Sequence, residues 1–224
     1  MFDLVLGTHN AKKLIELRMM LPADAGEDAS SSKPIPHQSN HEAVPIRLTS
    51  LAEIPEAVEI EETGETFAEN AALKATGQAK HLGRWVLAED SGLSVDALNG
   101  APGVYSARYA GAHGDDEANN RKLLEALNDV PDEKRGAQFN CFLCLSDPTG
   151  QVRLTGSGIC RGRIAPQPSG GAGFGYDPLF VVREYHRSFG ELDLAVKRAI
   201  SHRSRALRQF IPRLVQLANE DANA

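Results

Sequence analysis

The sequence predicts an α/β fold built around a mixed β-sheet. Apolar strand segments alternate with helical patterns along the chain, which is typical of strands joined by helices. Two long strands then follow each other at about 137–146 and 151–160, and the turn sequence DPTG at 147–150 joins them. Such a turn favours a hairpin, which adds an antiparallel pair to the sheet.

The N-terminal part of the chain predicts a strand, a helix and an insertion. The apolar run FDLVL at 2–6 indicates a buried strand, and Asn10 is suited to cap a helix over 11–21. Residues 22–45 are rich in Pro, Ser and other small residues. This composition favours a mobile surface insertion.

The next part of the chain predicts a helix with clear ends. Short extended pieces are expected at 46–49 and 57–60. Thr66 and Glu69 match a capping box for an Ala-rich helix, and Gly83 is expected to end that helix.

Strands and helices continue to alternate after this helix. The run WVLA at 85–88 indicates a second buried strand that ends at the sequence EDSG, and a helix is expected over about 116–128. After the hairpin, a glycine-rich loop leads into the apolar run LFVV, and helices are expected from about residue 192 onward. Pro212 lies inside the last of these helices and is expected to kink or restart it.

The composition fits a single globular domain, 1–224, with an acidic balance. The 224 residues are 42% hydrophobic and 24% charged, and the formal net charge is −6, whereas a general nucleic-acid binder would usually be basic. No apolar run approaches the roughly 20 residues that a membrane helix needs, and the N-terminus lacks the pattern of a signal peptide. We therefore expect a cytoplasmic protein that binds neither nucleic acid nor a membrane.

The charges are distributed unevenly along the chain. Residues 42–69 contain eight Glu and one Arg, a balance of −7, whereas residues 183–213 contain eight basic and three acidic residues, a balance of +5. This asymmetry is usual for two differently solvated faces, and it also permits a site with an acidic and a basic side.

The three cysteines are too few and too oddly numbered for a disulfide framework. Cys141 and Cys144 have the spacing of a redox motif or of half a zinc site, but they lie in the apolar run FNCFLCLS. No second CxxC or nearby pair of histidines completes a zinc site. Residues three apart on a strand point to opposite faces, so we expect buried thiols.

Three segments carry side chains suited to phosphate or metal ions. The turn GTHNAKK joins a strand to a helix N-terminus, which attracts phosphate, and Thr8, Asn10 and Lys13 add donors. The adjacent carboxylates of EDSG suit Mg²⁺ and could orient a water molecule. The acidic run EETGE precedes the helix that carries Asn70 and Lys74 on one face. Taken singly, these segments are also consistent with structural turns and a solvated acidic face.

Two later segments carry side chains suited to a nucleobase. In GFGYDP the glycines allow close approach, Phe174 and Tyr176 offer flat faces for stacking, and Asp177 accepts hydrogen bonds. Lys197 and the sequence SHR add cations and donors suited to phosphate or to an exocyclic carbonyl. The alternatives are a Gly-Pro loop with core aromatics and a basic helix face.

Taken in order, these segments resemble the noncanonical purine nucleoside triphosphate pyrophosphatases, also called the inosine triphosphatase or Ham1-like family. The matching blocks are LVLGTHNAKKLIEL, EETGETFAENAALKA, LAEDSGLSVDALNGAPGVYSARYAG, GFGYDPLF and KRAISHRSRAL. They occur in the order of the family, and the match extends along nearly the whole chain, up to Leu207.

The resemblance implies an elongated α/β fold with two lobes around a central cleft, a homodimer, and Mg²⁺-dependent hydrolysis of inosine, deoxyinosine and xanthosine triphosphates to the monophosphate and pyrophosphate. It implies that Asp90 is the general base and, with Glu62, the metal ligand. The substrate-binding residues that it implies are Thr8, His9, Asn10, Lys12, Lys13, Lys74, Ser91, Phe174, Gly175, Tyr176, Asp177, Lys197, His202 and Arg203.

Three features depart from the family pattern. His9 stands where Gly is usual, Ala195 and Val196 stand where acidic residues are common, and the insertion at 22–45 is longer than expected.

Two other functions are also consistent with these residues. They are a non-catalytic sensor of inosine or xanthosine nucleotides and a hydrolase with another preferred nucleotide.

Overall fold

The computed structural model describes residues 1–8, 14–15 and 44–222. The expected cap at Asn10, most of the helix expected over 11–21 and nearly all of the expected insertion at 22–45 lie outside the described residues. In the described part of the chain, no helix has both the length and the apolar character needed to cross a bilayer.

A mixed β-sheet forms the centre of the fold, as the sequence predicts. Its strands are β1 Phe2–Leu6, β2 Ile46–Ser50, β3 Trp85–Val95, β4 Gly136–Ser146, β5 Val152–Ile164, β6 Phe180–Val182 and β7 Arg187–Ser188. They lie in the order β2-β1-β3-β4-β5-β6-β7. β1 pairs in parallel with β2 and β3, and all later pairs are antiparallel. The predicted hairpin is therefore confirmed as β4 and β5.

Helices flank this sheet. The α-helices of the described residues are α1 Phe67–Leu82, α2 Asp116–Ala126, α3 Leu194–Ile200 and α4 His202–Asp221. Single turns of 3-10 helix occur at Leu51–Glu53, Asp96–Leu98 and Asp132–Lys134, and a longer one at Gly103–Arg108.

Both predicted ends of α1 are confirmed. The Glu69 backbone N–H donates to the Thr66 hydroxyl, and the Thr66 N–H donates to the Glu69 carboxylate at 3.1 Å. Gly83 follows the helix with φ of 61°, a conformation that favours glycine at this position. Residues 57–60 form no strand of the sheet, and the Gln78 side chain donates to the Val58 carbonyl, which ties this segment to α1.

The C-terminal helices are divided at Ser201 and not at Pro212. The Ser201 hydroxyl accepts the Ser204 N–H at 3.2 Å and so caps α4. α4 then runs through Pro212 without a break, so the expected restart there is wrong. Pro212 is exposed, whereas Phe210 and Leu214 on either side are fully buried. Packing of this apolar face stabilises the helix across the missing hydrogen bond.

β3 continues well beyond its predicted end. Residues 89–92 lie in the middle of the strand, where Glu89 pairs with Leu143 and Gly92 with Asn140 of β4. The strand end expected at EDSG is therefore wrong, and so is the alternative of a structural turn there. The strand continues because β4 extends its ladder to Val95, and because both carboxylates have cationic partners, as described below.

The two faces of the sheet belong to different apolar clusters. Leu87 and Cys141 pack in the cluster that includes Phe210 of α4. Ala88 and Cys144 pack in the cluster that includes Ala71 and Ala75 of α1. The two thiols are therefore buried on opposite faces, as predicted, and burial raises the pKa of Cys144 to about 11.

Candidate active site

A cleft of about 350 Å³ collects the predicted site residues from distant parts of the chain. Every predicted site residue that the structure describes lines it: Thr8, Glu62, Lys74, Asp90, Ser91, Phe174, Gly175, Tyr176, Asp177, Lys197, His202 and Arg203. The predicted residues His9, Asn10, Lys12 and Lys13 lie outside the described residues. The fold thus joins the acidic and basic stretches of the sequence at one place.

The end of β1 reaches this cleft through a close contact with β3. The Gly7 N–H donates to the Leu87 carbonyl at 2.7 Å. A Cβ atom at Gly7 would lie 3.1 Å from both the Ala88 Cβ and the Val86 Cγ1, tighter than an ordinary contact. Glycine therefore allows β1 to pass close to β3 and brings Thr8 to the cleft.

The acidic side of the cleft is a cluster of Glu62, Lys74 and Asp90. The Lys74 ammonium donates to Glu62 Oε1 at 2.8 Å and to Asp90 Oδ1 at 3.0 Å. Arg108 adds a longer ion pair to Glu62, with 3.6 Å between Nη1 and Oε2. Burial by itself would lower the pKa of Lys74, but the two carboxylates outweigh burial and raise that pKa. Lys74 therefore stays protonated at neutral pH.

Glu62 and Asp90 are the residues that could hold a divalent metal ion. Among the described residues, no group of three or more His, Cys, Asp or Glu side chains is arranged to hold one. Two carboxylate oxygens nevertheless converge on one cationic point, the Lys74 ammonium. Mg²⁺ commonly takes one or two protein carboxylates and completes its shell with water and substrate phosphate. The donors therefore fit Mg²⁺ in the presence of a triphosphate.

The neighbouring carboxylate, Glu89, points to the other face of β3. It forms a two-bond ion pair with Arg203 of α4, with 2.6 Å from Nε to Oε2 and 2.8 Å from Nη2 to Oε1. Both side chains are at least 98% buried, since their exposed fractions are 1% and 2%. The expectation that adjacent carboxylates of EDSG share one metal ion is therefore wrong, because successive strand residues face opposite sides.

The basic side of the cleft is organised around Asp177. Its Oδ2 accepts the Lys197 ammonium at 2.6 Å and the Phe174 backbone N–H at 2.8 Å. The Lys197 Nζ also lies 4.7 Å from the centre of the Phe174 ring. The carboxylate thereby holds both the cation and the aromatic residue beside the cleft.

Tyr176 and His202 are built into the core beside the cleft. The Tyr176 hydroxyl donates to the Ser106 carbonyl at 2.9 Å, the side chain is buried, and burial raises its pKa. Its expected availability for stacking on a base is therefore wrong, and the core alternative holds for this residue. The buried His202 ring stacks on Phe139 with 4.9 Å between ring centres.

Several residues of the cleft were not predicted from the sequence. Arg108, His113 and Asp116 are three of them. Arg108 belongs to a matching block, but its spacing relative to Glu62 gives no sign of their ion pair. The signal for Asp116 is equally weak, because an acidic residue in the first turn of a helix is common for reasons of helix stability alone.

Comparison with known proteins gives consistent matches in sequence and in fold. A sequence model of the Ham1 family matches residues 4–213. A Rhodopirellula baltica protein named dITP/XTP pyrophosphatase is 66% identical over 224 residues, covering 100% of this chain and 98% of that protein. A Desulforamulus reducens protein of the same name is 45% identical over 214 residues and covers 96% of each chain.

Solved structures of Ham1 proteins superpose on the chain over almost its full length. A HAM1 protein from Coxiella burnetii has a TM-score of 0.81 and 38% identity, covering 96% of this chain and 100% of that one. The Staphylococcus aureus Ham1 protein has a TM-score of 0.78 and 35% identity, covering 95% and 97%. The mixed sheet with its flanking helices is therefore shared with these structures.

Proposed function

We propose, since this chain belongs to the Ham1 family, that it hydrolyses noncanonical purine nucleoside triphosphates to the monophosphate and pyrophosphate with Mg²⁺. The relatives are named dITP/XTP pyrophosphatase, which supports deoxyinosine and xanthosine triphosphates as substrates. Inosine triphosphate carries the same base as deoxyinosine triphosphate. The observation that carries the proposal is the convergence of Glu62 and Asp90 on Lys74 in the cleft that also holds Phe174 and Lys197.

The acidic side of the cleft supplies the groups for phosphoryl chemistry. Water attacks the α-phosphorus, its proton passes to the Asp90 carboxylate, and the bond to the leaving pyrophosphate oxygen breaks. Lys74 stays protonated and donates to the negative charge that grows on the phosphates. When bound by Glu62 and Asp90, Mg²⁺ would supply further charge neutralisation.

The basic side of the cleft supplies the groups for base recognition. Phe174 offers its ring to the purine, and Lys197, His202 and Arg203 line the same region as donors. A 6-oxo purine can accept hydrogen bonds from such donors, whereas adenine has an amino group at that place and accepts none there. Each hydrogen bond that a charged donor makes only to the 6-oxo base contributes about 1.5–3 kcal/mol, which favours inosine and xanthosine over adenosine.

The remaining parts of the proposal concern the setting of the enzyme. We propose that the chain acts as a single catalytic domain, assembles as a homodimer and removes unwanted nucleotides from the cytoplasmic pool. The resemblance to the family supports these points, and the acidic net charge of −6 agrees with a small-molecule substrate in preference to a nucleic acid.

The direct test is a panel of triphosphates assayed for pyrophosphate release. Inosine, deoxyinosine, xanthosine, guanosine and adenosine triphosphates are compared with Mg²⁺ and with the metal chelated. We expect release from the first three with Mg²⁺ and little from adenosine triphosphate. Binding of inosine triphosphate without any pyrophosphate would instead support a nucleotide sensor.

The test of the residue roles is Asp90→Asn. Because the amide keeps the shape of the side chain but is a far weaker base, we expect a folded protein that has lost most of its turnover. Asp3→Asn is the matched control, since Asp3 is exposed on β1 and does not line the cleft. Turnover of Asp90→Asn near that of the control would contradict the role of Asp90.

A further inference from the structure

Helix α2 holds the peptide groups on both sides of Gly175. The Gly175 N–H donates to Asp116 Oδ2 at 2.8 Å, and the Asn120 side-chain amide donates to the Gly175 carbonyl at 3.0 Å. The two partners lie 59 and 55 residues away from Gly175 in the sequence. We call this arrangement the Gly175 clamp.

The clamp is anchored on a helix that is itself fixed. Asp116 and Asn120 are four residues apart, so they lie on one side of α2. Within α2, Leu123 is fully buried, and the Asn119 side chain accepts the Ala110 N–H at 2.7 Å. The two clamp residues therefore project from a firm support and not from a loop.

The clamp acts on the residue that follows Phe174. Gly175 has φ of 62°, the left-handed conformation, and its N–H belongs to the peptide that joins it to Phe174. On the other side of Phe174, its own N–H is held by Asp177. The peptide groups before and after Phe174 are thus both held by side-chain carboxylates, which fixes the backbone that carries its ring.

We propose that Asp116 and Asn120 are positioning residues for base selection: they hold Phe174 and the backbone beside it where a purine is recognised. This inference rests on the proposed function. Among the hydrogen bonds of the described residues, those that form the clamp involve none of Lys74, Glu62 and Asp90, which are bonded to one another on the other side of the cleft. Loosening the clamp should therefore weaken discrimination between bases while leaving the chemistry of the phosphates in place.

The experiment measures kcat and KM of Asp116→Ala and Asn120→Ala with inosine triphosphate and with adenosine triphosphate. We expect each variant to raise KM for inosine triphosphate about threefold to tenfold, the change that one lost hydrogen bond produces, with a smaller effect on kcat. The inosine-to-adenosine ratio of kcat/KM should fall accordingly. Asp116→Asn should restore most of the ratio, because its amide oxygen can still accept the Gly175 N–H.

Glu117→Ala is the matched control for the loss of a carboxylate. Glu117 is the next residue of α2, its side chain is 87% exposed, and its ion pair is with Arg121 on the same helix. It lacks a contact with Gly175 among the hydrogen bonds of the described residues. We expect wild-type values of KM and of the base ratio for this variant.

Hydrogen exchange of residues 174–175 provides a readout that does not depend on activity. Faster exchange there in Asp116→Ala than in Glu117→Ala is expected. An unchanged base ratio in active Asp116→Ala and Asn120→Ala would overturn the inference, as would equal losses for both nucleotides. If the wild type hydrolyses no triphosphate, the proposed function fails, and the role of the clamp in base selection fails with it. Faster hydrogen exchange of residues 174–175 in Asp116→Ala would even then show that the clamp holds this backbone.

Discussion

The buried ion pair between Glu89 and Arg203 gives the strongest expectation for stability. It joins the middle of β3 to the first turn of α4 across 114 residues of sequence, with both side chains almost fully buried. Glu89→Gln keeps the shape and one acceptor oxygen but removes the negative charge. The guanidinium of Arg203 is then left buried without its counter-charge.

The expected cost is large because the charge left behind cannot reach water. Removing one partner of a buried pair typically costs about 3–5 kcal/mol. In a chain of this size each kcal/mol shifts the melting temperature by about 2–4 °C, so Glu89→Gln should melt about 6–20 °C below the wild type. Urea unfolding at 25 °C provides the free energy without relying on a reversible thermal transition.

The chain contains a matched control with the same geometry on its surface. Arg47 also donates two hydrogen bonds to one carboxylate, that of Asp3, each at 2.6 Å, but these side chains are 60% and 43% exposed. Asp3→Asn should therefore cost only about 0.2–1 kcal/mol. A loss in Glu89→Gln that is no larger than in Asp3→Asn would refute the reasoning from burial.

A double variant separates charge from packing. Glu89→Leu combined with Arg203→Met replaces both charges by apolar groups, and such replacements are often neutral or stabilising. We expect it to recover most of the stability lost in Glu89→Gln. Hydrolysis of inosine triphosphate by this double variant should nevertheless be lower than in the wild type, because Arg203 is one of the proposed donors to the purine.

Three further predictions test the site and the fold. Phe174→Ala should raise KM for inosine triphosphate about tenfold without unfolding the protein, because stacking on a base is lost; an unfolded variant would point to a core role. Hydrogen bonds from Thr149 hold the pKa of the Asp147 carboxyl in the folded protein below its ordinary value of 3.8. The ionised carboxylate therefore stabilises the fold above pH 3.8, and this stabilisation is lost as the pH falls through the lower pKa of the folded state. Asp147→Asn should accordingly flatten the acid limb of the unfolding free energy measured against pH. Gly92→Ala would place its Cβ 2.8 Å from the Gly103 carbonyl oxygen, and we expect it to lower the free energy of unfolding in urea by about 1–3 kcal/mol. Gly171→Ala is the control: its Cβ meets no atom within 4 Å, so the loss should be far smaller.

Local signals in the sequence predicted the elements that local interactions stabilise. The capping box of Thr66 and Glu69 and the left-handed Gly83 involve residues at most three positions apart, and both ends of α1 are as expected. The DPTG hairpin likewise depends on one turn, in which Asp147 accepts hydrogen bonds from Thr149 and Gln151. Such features can be recognised without knowing the rest of the fold.

The failures concern residues whose partners are distant in the sequence. Two adjacent carboxylates indicate a turn when their partners are unknown, but Glu89 meets Arg203 on one face and Asp90 meets Lys74 on the other. Tyr176 was predicted to offer a stacking face together with Phe174, yet its hydroxyl donates to a carbonyl 70 residues away and its ring is buried. No local pattern shows which face of the fold a side chain will meet.

The core shared by β1 and α4 affects how this chain folds during synthesis. Phe2, Leu4 and Leu6 pack in the same cluster as Phe210 and Leu214. At about 5–20 residues per second, a ribosome needs roughly 10–40 s to make the intervening segment. Throughout that time Phe210 and Leu214 are not yet available to cover the first strand, and exposed apolar surface of this kind is prone to aggregation. The part of the cleft that contains Arg203 is completed at the same late moment, so the whole cleft forms only when this core closes.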